Sequence, residues 1–186
     1  MSLITEKYFD GKVIIINSNI FMDERGFFTE IYNRNNFLDI GIVDNFVQDN
    51  YSFSKKKGVI RGLHFQTPPM QQSKLISVTR GKIFDVVVDI RKDSKSYGKY
   101  ISFELKAQEM KQLYIASGFA HGFCVLEDNT EVMYKTSNPY SKENDQTILW
   151  NDKNLLIKWP VSDKNVIISK KDSKGINFDD FLSPFL

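Results

Sequence analysis

The sequence predicts an all-β protein folded as a sandwich or barrel. Apolar residues recur mostly with a period of two rather than about 3.6. Aromatic residues reach 13%, led by 15 Phe and 8 Tyr, and such side chains favour strands. Short β-branched stretches alternate with Gly, Pro, Asn and Ser turns.

The elements follow in order. Val13–Asn17 reads as the first strand and Phe27–Tyr32 as the second. Asn35–Asp39 has room for one or two helical turns. Val47–Phe53, Gly58–Phe65 and Leu75–Arg80 read as strands. The clearest strand is Lys82–Ile90, with Phe84, Val86, Val88 and Ile90 on one face. Its other face, Ile83, Asp85, Val87 and Asp89, is mixed, as expected of a wall lining a polar cavity. Lys99–Leu105, Gln112–Ile115, His121–Leu126, Glu131–Thr136 and Val166–Ser169 complete the strands, and Asn151–Leu155 offers another helical turn. Phe181, Leu182 and Phe185 in the polar C-terminal stretch are expected to dock on the body or on a partner chain.

The 186 residues fit one domain, 1–186, with an N-terminal arm over about 1–35 and a C-terminal tail over about 170–186. The balance of 25 basic against 23 acidic residues argues against a nucleic-acid coat. It leaves room for a small basic pocket around one phosphorylated ligand. A single cysteine, Cys124, excludes an intrachain disulfide. No apolar stretch approaches the roughly 18 residues of a membrane span, and Val13–Ile16 is too short for a signal-peptide core. The expectation is a cytoplasmic protein without a membrane partner.

Only two histidines, His64 and His121, are present, so a three-histidine metal site from one chain is excluded. A His-x-His metal motif also fails, because position 66 is Gln. No metal and no cofactor are expected. The glycine loops of nucleotide-binding motifs, a Gly-x-Ser-x-Gly and a zinc-type cysteine pair are all missing from the sequence.

Five clusters carry polar chemistry. In Asp23-Glu-Arg-Gly-Phe-Phe-Thr-Glu30, Arg25 and Glu30 flank Phe27 and Phe28. A surface ion pair and a ligand-facing arm are both open there. In Gly58-Val-Ile-Arg-Gly-Leu-His-Phe-Gln66, Arg61 and His64 point to opposite faces of a regular strand. A bulge at Gly62 brings both into one cavity. Lys74 precedes an apolar strand, where an exposed ammonium is the ordinary expectation. His121 sits among small and apolar residues in Gly118-Phe-Ala-His-Gly-Phe123, either buried and hydrogen-bonded or lining a pocket. Tyr134 shares a strand face with Val132 and is a packing residue unless a cavity meets its hydroxyl. The Ser54–Lys57 run reads as an exposed turn.

Taken together, these clusters resemble the nucleotide-sugar 3,5-epimerase family, whose best-known member belongs to the rhamnose pathway. The matching stretches are Asp23–Glu30, Gln48–Ser52, Gly58–Gln66, Lys74–Leu75, Gly81–Arg91, Ser94–Gly98, Gly118–Phe123, Tyr134–Thr136, Asn151–Asp152, Trp159–Pro160 and Ser169–Asp172. They run in family order over nearly the whole chain. The resemblance implies a cupin-type jelly-roll of two antiparallel sheets and a homodimer with arm exchange. It also implies cofactor-free epimerisation beside the ketone of a nucleoside-diphosphate 4-keto-6-deoxy sugar. His64 is then the base, oriented by Asp172, and Lys74 stabilises the oxyanion. Tyr134 delivers a proton to the opposite face; Tyr140 is its competitor for that role. His121 and Arg61 line the sugar and diphosphate region. Arg25, Phe28 and Glu30 belong to an arm that reaches the partner's nucleotide site. Gln48, Asn50 and Lys171 touch the nucleotide, and Tyr140 stacks on the base.

The family often carries Glu-Gly before the equivalent of Thr147, where this chain has Asp145-Gln146, with Glu143 nearby. Asn138-Pro139 also replaces a frequent aromatic before Tyr140. Both changes leave the nucleotide open between dTDP and GDP, and the sugar between hexose and heptose. A C3-only or C5-only epimerase, a 3,4-ketoisomerase and a non-catalytic sugar-nucleotide-binding jelly-roll are the alternatives. Twenty lysines against five arginines fit an AT-rich bacterial genome, and a role in surface-polysaccharide synthesis.

Overall fold

The computed structural model describes residues 3–186. Its strands are β1 (Ile4–Tyr8), β2 (Val13–Asn17), β3 (Ile20–Asp23), β4 (Gly26–Thr29), β5 (Gln48–Ser54), β6 (Ile60–Gln66) and β7 (Lys74–Arg80). They continue with β8 (Lys82–Asp89), β9 (Tyr100–Lys106), β10 (Lys111–Ile115), β11 (Phe119–Val125), β12 (Thr130–Thr136) and β13 (Asp145–Thr147). One helix, α1 (Arg34–Asp39), and a few 3₁₀ turns complete the elements. Helix is sparse and sheet dominates, as the sequence predicts.

One sheet has the order β1-β2-β10-β7-β12-β5, and the other β13-β6-β11-β8-β9. All ladders between these strands are antiparallel. The inner faces meet in a core that includes Val13, Ile76, Val87, Leu113, Phe119 and Val132. Each fully buried aliphatic side chain contributes about 1.5–3 kcal/mol relative to an exposed one. The mixed face of β8 does point inward: Ile83 and Val87 join this core while Asp85 is buried beside it. The opposite face packs Val86 and Val88 in a second layer with Phe65, Phe181 and Phe185.

The continuous apolar run of β2 is explained by burial on both sides. Val13 and Ile15 face the sandwich core, while Ile14 and Ile16 meet Phe37 of α1. Asn33 caps α1, its side chain accepting from the N–H groups of Asn35 and Asn36.

Three strands escape the sequence pattern. Strand β1 (Ile-Thr-Glu-Lys-Tyr) is a polar edge strand that pairs with β2 alone. Strands β3 and β4 form a separate hairpin, and all of β3 is exposed. Strand β13 is three residues long and exists because it pairs with β6. Conversely, Val166–Ser169 is not a strand. Only Ile167 bridges, to Val59, so the segment docks beside β6 without extending the sheet. Asn151–Leu155 is a turn rather than a helix, because the Asp152 carboxylate accepts from the N–H groups of Asn154, Leu155 and distant Phe178. In the tail Phe181 and Phe185 are buried and stack edge-on near Phe65, but Leu182 is 91% exposed and does not dock on the body.

Candidate active site

A cavity of about 550 Å³ opens between the two sheets, within the usual size of a small-ligand site. Strand β6 supplies Arg61 and His64, β7 supplies Lys74 and Ile76, β11 supplies His121 and Phe123, and β12 supplies Val132 and Tyr134. Ser169, Lys171 and Asp172 close it from the tail.

The bulge expected at Gly62 is present. His64 faces His121 across the β6–β11 ladder and Arg61 faces Phe123, so β6 carries an extra residue between them. Gly62 adopts φ +133°, a region that favours glycine. A Cβ there would lie 2.5 Å from Gly122 Cα. The two glycines therefore let β6 and β11 touch, and Arg61 and His64 line the same cavity.

His64 Nε2 lies 2.7 Å from Asp172 Oδ1. The other Asp172 oxygen accepts from Gly62 N–H at 3.2 Å, and Ser169 Oγ accepts from Asp172 N–H. Burial alone pushes the Asp172 carboxyl up, but the hydrogen bonds from His64, Gly62 and Ser169 outweigh it and hold it below the usual range. An ionised Asp172 thus fixes the orientation of the His64 ring.

Lys74 departs from the ordinary expectation, since it is only 8% exposed. Its Nζ donates to the His64 carbonyl at 3.3 Å. Burial pushes its pKa down to about 8, with the carboxylates of Asp145 and Asp85 pulling back up. Tyr134 is half-buried, and burial raises its pKa against the opposing pull of Arg61, so the phenol keeps its proton.

His121 is buried, with Nε2 at 3.0 and 2.9 Å from the two oxygens of Asp85. Burial pushes the imidazole down while Asp85 pulls it up. Asp85 is a site residue the sequence reading placed on a cavity wall without giving it a partner. Its signal is a carboxylate in the middle of an apolar strand, on the mixed face it shares with Asp89.

Asn50 and Gln48 lie beyond the cavity, yet they share the face of β5 that carries the cavity residues Ser52 and Ser54. Gln48 donates to Asn50 Oδ1 and accepts from Tyr140 N–H. Tyr140 is exposed, and its hydroxyl donates to Asp145 Oδ2, which also accepts from Lys171 Nζ. Gln66 clamps the same segment: its amide donates to the carbonyls of Met70 and Pro139 and accepts from Ser141 N–H.

Arg25, Phe28 and Glu30 are not brought to this cavity within one chain. Arg25 pairs with Asp23, Phe28 is 70% exposed, and Glu30 accepts from Asn33 and Asn36.

The sequence profile of the dTDP-4-dehydrorhamnose 3,5-epimerase family matches residues 10–180. The chain belongs to that family. It is 49% identical over 169 residues to the dTDP-4-dehydrorhamnose 3,5-epimerase of Shigella flexneri, covering 90% of this chain and 92% of the relative. Its structure is similar to the crystal structure of the Bacillus anthracis dTDP-4-dehydrorhamnose 3,5-epimerase with TDP and PPi bound. That match has a TM-score of 0.92 at 44% identity, covering 95% of this chain and 100% of the other. The Legionella pneumophila epimerase in complex with dTDP-4-keto-L-rhamnose matches with a TM-score of 0.90 at 38% identity, covering 95% and 93%. As a dTDP-4-dehydrorhamnose 3,5-epimerase family member the chain is an isomerase of nucleotide-sugar biosynthesis, and the family acts on a dTDP-linked sugar. The cupin-type jelly-roll expected from the resemblance is the fold observed. Among the described residues no helix is long and apolar enough to cross a membrane.

Proposed function

We propose that the chain inverts C3 and C5 of a dTDP-linked 4-keto-6-deoxy hexose by enolisation at this cavity. The observation that carries the proposal is the convergence of the His64–Asp172 pair, the Lys74 ammonium and the Tyr134 hydroxyl on one cavity from opposing sheets. His64 takes the proton from the carbon beside the ketone, and the electron pair moves to the C4 oxygen. Lys74 stabilises the resulting enolate oxygen. Tyr134 returns a proton from the opposite face, and solvent restores both groups. Only protons move in this reaction, so it calls for no cofactor.

dTDP is favoured over GDP, and a hexose over a heptose, by the bound ligands of the Bacillus and Legionella relatives. Arg61 and Lys171 serve the diphosphate, with Gln48, Asn50 and Tyr140 around the base. His121, fixed by Asp85, forms the sugar wall. The whole chain, 1–186, works as one epimerase domain. Single, free Cys124 suits a reducing compartment, so the cytoplasm is part of the proposal, as is a role in surface-polysaccharide synthesis.

The arm supports a homodimer. Phe21, Met22, Phe27 and Phe28 are 45–74% exposed on a hairpin that joins neither main sheet. Apolar surface of this kind seeks a partner. Exchange of arms places Arg25, Phe28 and Glu30 at the partner's nucleotide site. Sedimentation at twice the 21.6 kDa chain mass is expected, and a monomer with full activity sinks this part.

Incubation with dTDP-4-keto-6-deoxyglucose in heavy water tests the reaction. Deuterium is expected at both C3 and C5; uptake at one carbon alone corrects the proposal to a mono-epimerase, and no uptake overturns it. Tyr134→Phe is expected to keep exchange at the carbon His64 deprotonates while inversion falls by about 10²-fold or more. Full inversion in that variant removes Tyr134 from the acid role.

The pH profile is a further test. Lys74 acts as a cation, and its pKa is pushed down to about 8. The contribution of the Lys74 charge to activity is therefore present below that pH and lost as pH rises through it. A flat profile to pH 10 refutes the need for a charged Lys74.

A further inference from the structure

Asp145 belongs to one of the two departures that leave the nucleotide open, and the structure gives it a position of its own. Its side chain is only 11% exposed. It lies on β13, in register with Gln66 of the His64 strand. One oxygen, Oδ2, accepts both from the Tyr140 hydroxyl at 3.0 Å and from Lys171 Nζ. Tyr140 and Lys171 come from parts of the chain 31 residues apart, and each is exposed. Nearby Glu143 is exposed and takes neither bond.

The same short segment is held from below. Gln48 accepts from Tyr140 N–H, and Gln66 bonds the backbone on both sides of Tyr140. The backbone of this loop is thus fixed by two amides, and the ring by one carboxylate. A long exposed lysine has many rotamers, and fixing it before the ligand arrives lowers the entropy cost of binding.

We infer that Asp145 is a positioning residue: its carboxylate ties Tyr140 and Lys171 into one preformed platform for the nucleoside diphosphate. This inference rests on the epimerase reading above. The charge of Asp145 also reaches the buried Lys74, through field rather than contact. Asp145 is the larger of the two carboxylate influences that raise the Lys74 pKa against burial, and it has no hydrogen bond to Lys74. Two exposed binding groups therefore answer to a single side chain. Glu143 is excluded from this role by its position.

Asp145→Asn keeps the shape of the side chain, including an acceptor for Tyr140, and removes the charge. The full-length variant is expected to bind dTDP about tenfold more weakly by calorimetry, the change expected when one charge-assisted bond is lost. The alkaline limb of its turnover is expected to move to lower pH, by about half a unit or more. A merely structural role leaves that limb in place. Tyr140→Phe keeps the charge, so it is expected to weaken dTDP by only about two- to threefold and to leave the limb unmoved.

Wild-type affinity together with a wild-type limb in Asp145→Asn overturns the inference while leaving the epimerase reading intact. Tighter dTDP binding also overturns it, since Asp145 would then compete for Lys171. A wild-type chain that neither binds dTDP nor exchanges protons overturns both. Should Asp145→Asn fail to fold, Tyr140→Phe and Lys171→Met are combined instead. Groups acting through one shared carboxylate give non-additive losses in dTDP binding, and strict additivity overturns the inference.

Discussion

His64→Ala abolishes deuterium uptake from heavy water at both C3 and C5, with a loss of at least about 10³-fold in turnover. The expectation follows from the cavity. His64 lines it with a partly exposed ring held by an ionised carboxylate, at 2.7 Å from Asp172. Positioned general bases contribute about 10²–10⁴-fold. His121 does not substitute for it, because its side chain is 9% exposed against 31% for His64 and burial disfavours the protonated ring. The fold should survive, since His64 is partly exposed and its strand is held by ladders on both sides. Asp172→Asn should fall between the wild type and His64→Ala, because the ring keeps a neighbour of the same shape but loses the carboxylate that orients it. Measurable exchange at either carbon in a folded His64→Ala protein assigns the base elsewhere.

Gly62→Ala is the largest structural effect expected from a single methyl group. Its Cβ would sit 2.5 Å from Gly122 Cα and 2.8 Å from the His121 carbonyl oxygen. Both are backbone atoms of the neighbouring strand, so neither can swing aside. The residue also holds φ +133°, which an L side chain rarely adopts. A loss of about 3 kcal/mol is expected, with the melting temperature lower by roughly 6–12 °C for a chain of this length. Activity should fall along with stability, since Gly62 N–H also bonds Asp172 and its bulge turns His64 and Arg61 the same way. By contrast Gly26→Ala, whose Cβ meets nothing within 4 Å, has only its φ of +130° against it. A Gly62→Ala protein that melts with the wild type means that β6 and β11 do not pack as described.

Much of the fold was legible because burial imposes a period. Strand β2 is recovered with its own ends, and β8 shows one apolar and one mixed face that map onto two packed layers. What escaped has no such period. Strands β1 and β3 are polar or exposed along their length, and they are strands only through their pairing. Strand β13 is too short to show any pattern. Val166–Ser169 erred the other way, since alternating Val and Ile there cover the Trp150 cluster without a ladder.

The site divides along the same line. His64, Lys74, His121 and Tyr134 were singled out from local motifs and Asp172 through the family resemblance, and one cavity is lined by them all. Their partners were not legible. His121 meets Asp85 from 36 residues away, and His64 meets Asp172 across 108. The Asp172 link came from family resemblance alone.

By itself, then, the amino-acid sequence determined a β-sheet sandwich, its two glycine-flanked histidines and the family to which their motifs belong. Alternation and glycine placement are local properties, written in consecutive residues. Only the tertiary structure decided which charges stand together: Lys74 as a buried cation, Asp85 behind His121, and Asp145 between Tyr140 and Lys171. Electrostatic partnership depends on distance through space and on the exclusion of water. Both arise when the two sheets close on each other, and neither has a signature in the order of residues along the chain.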